Sequence, residues 1–284
     1  MAEAPKPTKK NTAAPAPQVA PPQPAPAPAP VADTGIDWGA HSGPTGFENV
    51  SQDDFGVPFL SICQKGSPEV DPTAKDHIAK RIPGIAVGDV FATTSRQIVH
   101  HYGAGPLLFV PAGYNKAWVE WKTRESGGGF VKSHTSSAIT KEITGRNDKG
   151  QDMLRNGNVL VTTAYFFGYV ISENEEPKLV VINLVSTQLK HAREWLNMMQ
   201  SIKVGPNRIT PPMYSHHYLL STTPESNAKG SWMGWKIQVG DQVKDRDLVQ
   251  DCAKVCAQVA APDGPKLLGP SSPAATTESD DVPM

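Results

Sequence analysis

The sequence predicts a mainly β fold carrying two helices, set between two ends that cannot build a core. Three observations predict it. Short runs rich in aromatic and β-branched residues recur through the middle of the chain, the longest from Val159 to Ile171. Only two stretches repeat apolar residues at helical spacing. At both ends the composition shifts to Pro, Ala and Ser with almost no large apolar side chains.

Taken in order, residues 1–34 alternate Pro and Ala, which predicts a disordered or extended arm reaching to about residue 46. Glu48 to Phe55 suggests a turn or short helix. Phe59 to Cys63 and Asp89 to Thr93 are strand candidates. Leu107 to Val110 and Ala117 to Trp121 read as two strands broken near Pro111-Ala112-Gly113. Val159 to Ile171 and Leu179 to Val185 are strands joined through a turn at Glu175-Glu176-Pro177, and Met213 to Leu220 with Trp232 to Val239 predict a late hairpin.

One helix starts after Ser186 or Thr187 as cap and presents Leu189, Ala192, Leu196 and Met199. The other presents Leu248, Cys252, Val255, Cys256 and Val259. Strands outnumber helices, and their spacing suits a small barrel with additions. The domain boundaries follow: an arm over 1–46, one globular domain over 47–260, and a linker with a tip over 261–284.

The formal net charge of the 284 residues is −1, which excludes an overall basic field as the means of holding nucleic acid. The acidic C-terminal end leaves a slight basic excess in the middle, so any such binding rests on local clustering. Cys63, Cys252 and Cys256 form no even framework and no Cys-x-x-Cys. Cys252 and Cys256 read as small core residues on a helix rather than a metal pair. No secretory or membrane-spanning run is visible, so a soluble, intracellular protein without membrane contact is expected.

The adjacent pairs His100-His101 and His216-His217 would point to opposite strand faces, and no zinc spacing, P-loop or Gly-x-Ser-x-Gly elbow occurs. No metal, no cofactor and no catalytic residue is expected. A nuclease built from scattered Asp, Glu and His residues is the enzymatic rival, with no motif to support it.

The strongest internal constellation runs from Tyr114 to Lys132. Strand alternation puts Lys116, Trp118, Glu120 and Lys122 on one face, and Ala117, Val119 and Trp121 on the other, the natural core side. A ring flanked by ammonium groups is what sequence-tolerant single-strand binding needs, because bases stack on rings and cations follow phosphates. Gly127-Gly128-Gly129 would then let Arg124, Phe130 and Lys132 approach a strand. A half-buried strand with merely solvated lysines is the alternative. Tyr165, Phe167 and Tyr169 make a second stripe, which reads first as core, although the hydroxyls of Tyr165 and Tyr169 suggest partial exposure. Trp232, Trp235 and Lys236 form a third, weaker group. Lys190 and Arg193 lie off the apolar face of the first helix.

The last residues, Glu278-Ser279-Asp280-Asp281-Val282-Pro283-Met284, form an acidic patch followed by apolar-Pro-apolar. On a Pro/Ala/Ser tether with a reach of roughly 25 Å, Asp280, Asp281, Val282, Pro283 and Met284 suit docking into a partner's basic, apolar-floored pocket. A plain solubilising tail is the other reading.

This tip resembles the C-terminal peptide of bacterial-type single-stranded DNA-binding proteins, which typically ends Asp-Asp-Asp-Ile-Pro-Phe. Ser279 stands for the first Asp and Met284 for the Phe. In that family the tip recruits replication, recombination and repair proteins and competes with DNA for the protein's own groove. Gly46-Phe47-Glu48-Asn49-Val50, Asp53-Asp54-Phe55, Val57-Pro58-Phe59-Leu60, Gln64 and Ser67-Pro68-Glu69, with Trp118 to Trp121 and the Gly-rich turn, also resemble single-stranded DNA-binding proteins of tailed bacteriophages.

The resemblance implies an elaborated oligonucleotide-binding (OB-type) barrel. It implies a non-enzymatic protein that coats single-stranded DNA in the host bacterial cytoplasm during phage replication or recombination. The alternative is an interaction or virion-accessory protein that docks through its tail and never touches DNA.

Overall fold

The computed structural model describes residues 56–261, apart from Lys75, Lys149, Asn174, Lys229 and the side chain of Arg124. Contacts divide the chain into residues 1–49 and 50–284; the first unit lies wholly outside the described residues. So do the predicted arm, the Glu48–Phe55 turn, the linker after residue 261 and the acidic tip. Strand (45%) outweighs helix (23%), so the protein is mainly β, with one curled half-barrel sheet and few helices.

Eleven strands make that sheet: β1 (Phe59–Ile62), β2 (Val90–Ala92), β3 (Gln97–His100), β4 (Leu107–Trp121), β5 (Phe130–His134), β6 (Ile143–Arg146), β7 (Asp152–Leu154), β8 (Val159–Ser172), β9 (Glu175–Val185), β10 (His216–Asn227) and β11 (Gly230–Gln242). The order is β11-β10-β4-β8-β9-β1-β2-β3, with all neighbours antiparallel except β1 and β9. The helices are the single turn α1 (His77–Lys80), then α2 (Leu189–Ser201) and α3 (Arg246–Ala260).

The central pair is β4 and β8, matched from Leu108↔Ile171 to Trp121↔Val159. Here one expectation is corrected: β4 is a single 15-residue strand, not two. The register shifts between Pro111 and Gly113, so Ala112 is the extra residue of a β-bulge. A bulge tolerates a proline because the ladder is already interrupted there. Opposite it, Gly168 has no room for a side chain: a Cβ would lie 2.3 Å from the Val110 carbonyl oxygen and 2.5 Å from the Phe109 ring. Glu175-Glu176-Pro177 is likewise no turn but the start of β9. The late hairpin is longer than predicted.

The two helices seal opposite faces of the sheet. Beneath α2, Ala192, Trp195 and Met199 meet Phe109, Phe166, Leu184, Tyr218 and Leu220, with Trp195 stacked on Phe166 at 4.2 Å between centroids. Helix α2 follows a one-turn 3-10 segment, Ser186–Gln188, and neither Ser186 nor Thr187 caps it; Gln188 holds that position without a side-chain bond. Beneath α3, Leu248, Cys252 and Val255 meet Val110, Ala117, Val119, Tyr165 and Phe167. Asp245 caps α3 by accepting from the Asp247 and Leu248 amides.

The curl brings the β10–β11 hairpin against the segments that follow β1, precede β2 and follow β9, without strand pairing. The Gln64 side chain donates to the Met233 carbonyl at 3.0 Å and accepts from the Met233 amide at 2.8 Å. Gln188 accepts from the Trp235 amide at 3.3 Å, and Thr222 Oγ1 donates to the Gly88 carbonyl at 2.7 Å. A primary amide offers the same donor and acceptor as a peptide group, so Gln64 stands in for the missing strand. Among the described residues, no helix is long and apolar enough to cross a membrane.

Candidate nucleic-acid interface

Beyond the bulge, β4 and β8 run past the body of the sheet and form a wing. Strand β5 pairs with the outer edge of β4 (Trp118↔His134, Glu120↔Lys132), and β7 pairs with the start of β8 (Asp152↔Leu160). Alternation holds along β4 as expected: Ala117, Val119 and Trp121 are buried beneath α3, while Lys116 is exposed and Trp118 half-buried.

The Lys116 ammonium lies 5.1 Å from the Trp118 ring centroid, a cation–π contact worth roughly 0.5–1 kcal/mol at an exposed site. Across the strands, Trp118 faces His134 on one side and Thr162 on the other. Lys132 is exposed on the same face, and Lys122 is exposed just past the strand end. None of the three lysines makes an ion pair among the described residues.

Glu120 shares this face yet is 6% exposed. Its carboxylate accepts from Asn156 at 2.8 Å, Asn158 at 2.5 Å and His134 at 2.9 Å. Burial pushes its pKa up, but the bonds from Asn158, His134 and Asn156 outweigh this and hold it below the ordinary carboxylate value. An ionised carboxylate only accepts, so His134 Nε2 is the donor. Glu120 is thus spent on fixing β5 and the turn before β8 rather than on opposing the lysines. His134, Asn156 and Asn158 escape a sequence reading because they lie 14 to 38 positions from Glu120; the only local signal is the Lys132/His134 alternation.

The remaining predicted residues are scattered. Phe130 is not beside Trp118: a register shift turns it to the other face, edge-on to Trp121 at 5.7 Å, with 47% of its surface exposed. Arg124 opens a short 3-10 turn, and its side chain lies outside the described residues. Gly127, Gly128 and Gly129 all have positive φ, the conformation for which glycine is suited in the loop between β4 and β5.

Tyr165 is a correction. Both tyrosines lie beneath α3, with Tyr165 buried edge-on to Phe59, and burial pushes both phenols up to about 12. Tyr165 belongs to the core and offers no platform for bases, while Tyr169 is only partly buried. Tyr114 is half-buried against Phe166, with Arg193 of α2 near its phenol. Lys190 pairs with Glu225 Oε2 at 2.9 Å. Asp280, Asp281, Val282, Pro283 and Met284 lie outside the described residues.

Among the described residues no group of three or more His, Cys, Asp or Glu side chains could hold a metal ion. A cleft of about 760 Å³ lies at the other end of the sheet; Arg96, Lys178, Glu173 and Glu175 line it with no aromatic ring.

No curated protein and no solved structure matches this chain. A family model described as Pam3 phage gp34-like protein matches residues 28–262, which spans the whole described sheet and both helices. The chain belongs to the Pam3 phage gp34-like protein family, a family of phage proteins.

Proposed function

We propose that this phage protein binds single-stranded DNA without strong sequence preference and has no catalytic role. The observation that carries the reading is the open wing of β4, where a half-buried Trp118 ring lies under the Lys116 ammonium, with Lys122 and Lys132 exposed nearby. Base stacking on such a ring is worth roughly 1–3 kcal/mol, and the lysines supply phosphate contacts that weaken as salt rises. In this reading the protein covers single strands in the host bacterial cytoplasm during phage replication or recombination. The acidic tip, resembling that of bacterial single-stranded DNA-binding proteins, recruits replication, recombination or repair proteins and competes with DNA at low salt.

Intrinsic tryptophan fluorescence during titration with poly-dT and with a matched duplex tests this. Saturable quenching by the single strand, weaker with duplex and fading with salt, is the expected result. Absence of any response, together with no complex in a gel shift, overturns it in favour of a tail-docking interaction protein.

A further inference from the structure

The side chain directly across the ladder from Trp118 is an imidazole. His134 of β5 pairs with Trp118 and so shares its face. Lys132, two positions back along β5, lies on the same face roughly 7 Å away. Strand β5 pairs with β4 alone among the described strands, so this side of the wing ends in an open edge.

The two ring nitrogens of His134 are in different positions. Nε2 donates to Glu120 at 2.9 Å. Nδ1 has no hydrogen-bond partner among the described residues and is not one of their buried unpartnered atoms, so it reaches solvent. Glu120, held below the ordinary carboxylate value, is an acceptor throughout the neutral range. A neutral His134 therefore keeps its one proton on Nε2 and turns a bare lone pair outward at Nδ1, which repels a phosphate oxygen. An imidazolium donates from both nitrogens, Nε2 to the carboxylate and Nδ1 to an anion outside.

The other charges around the ring are mostly positive. Lys116 on β4 and Lys132 on β5 share its face, and Arg155 is exposed in the turn whose Asn156 and Asn158 hold Glu120. Lys141 and Glu142 are exposed on the 3-10 segment that follows β5, and Thr162 of β8, across from Trp118, is neutral. Glu120 is the one carboxylate bonded to the ring among the described residues. A phosphate seated among these cations places a second negative charge beside Nδ1 and favours the imidazolium in the complex.

We infer that His134 is a phosphate ligand of the strand that lies on Trp118, taking up one proton from solvent as that strand binds. With Lys132 it carries the backbone along β5 while the base lies over β4. This rests on the single-strand reading above and adds to it a contact residue, a course along the β4–β5 ladder and a coupling of affinity to pH.

The test uses the full-length chain and an oligothymidylate of about twelve nucleotides, at fixed ionic strength. Affinity is measured from about pH 5.5 to about pH 8.5, on either side of the ordinary histidine value. Wild type is expected to bind roughly ten-fold more tightly at the acid end, the gain of one charge-assisted hydrogen bond. His134→Gln keeps an amide donor for Glu120 but cannot titrate, and it is expected to lose that gain. A purely structural role for His134 would lower affinity by one factor at every pH. Profiles of wild type and His134→Gln that superimpose or run parallel, with Trp118→Ala still impaired, therefore overturn the inference and leave the single-strand reading standing. Failure of wild type to bind at any pH, or indifference to Trp118→Ala, overturns that reading and the inference with it. Should His134→Gln not fold, the His134 ring-proton resonances of wild type decide, followed across the same range with and without the oligonucleotide. Titration at a higher pH in the complex supports the contact, and an unmoved titration overturns it.

Discussion

Two alternating stripes on one sheet meet opposite fates. Lys116, Trp118 and Glu120 alternate along β4, and Tyr165, Phe167 and Tyr169 alternate along β8, its direct neighbour. Helix α3 covers the second stripe, burying Tyr165 and Phe167 and leaving Tyr169 partly exposed. The first faces the side that α2 covers, but α2 packs over Phe109 and Phe166 and the wing carrying Trp118 stays open. Alternation along a strand therefore does not decide whether a ring is buried or open; what docks over it does.

The comparison breaks most sharply at Phe167, which is fully buried. Phe167→Ala is expected to cost about 3–5 kcal/mol, read as a large fall in the thermal midpoint. Trp118→Ala should cost under about 1 kcal/mol in stability, so near-equal losses would erase the distinction.

Glu120 tests how the open wing is held together. Glu120→Ala leaves three donors facing a vacancy and is expected to cost about 2–4 kcal/mol. The folded pKa of Glu120 is lowered, so its contribution is fully present above the ordinary value of 4.5 and is lost as pH falls through the lower folded value. Denaturation of wild type and Glu120→Gln across acidic pH should converge in that window. Curves that stay parallel would remove the carboxylate from the account.

On the functional side, Trp118→Ala is expected to lower affinity for poly-dT by about 1–3 kcal/mol with the salt slope kept, whereas Lys116→Ala reduces the slope by roughly one phosphate contact. Normal binding by the folded double variant would remove this face from the site. The smallest expected effect is Tyr165→Phe: under about 1 kcal/mol of stability and no change in DNA affinity. A loss of affinity there would return the buried stripe to the interface.

Much of the architecture is legible in the sequence because short-range periodicity is a local property. The pattern in Leu248, Cys252 and Val255 marks α3 and its buried side, and alternation along β4 assigns Ala117, Val119 and Trp121 inward. Pro111-Ala112-Gly113 reads as a break when it is a bulge, since a bulge and a strand end carry the same residues and differ only in whether a partner strand continues. Strands β5 to β7 escape a sequence reading because they are short, polar and half-exposed, leaving alternation no apolar side to mark.

By itself the sequence determined the β-rich class, the two long helices, the inward residues of β4 and the compositional change at each end. All of these follow from side-chain volume, polarity and spacing within a few residues. Only the tertiary structure decided that Gln64 and Gln188 bond to the free edge of β11, that Glu120 is consumed by His134, Asn156 and Asn158, and that Tyr165 is core while Trp118 is half-buried. Those outcomes depend on contacts between distant positions, and burial of a ring is set by which helix lands on it.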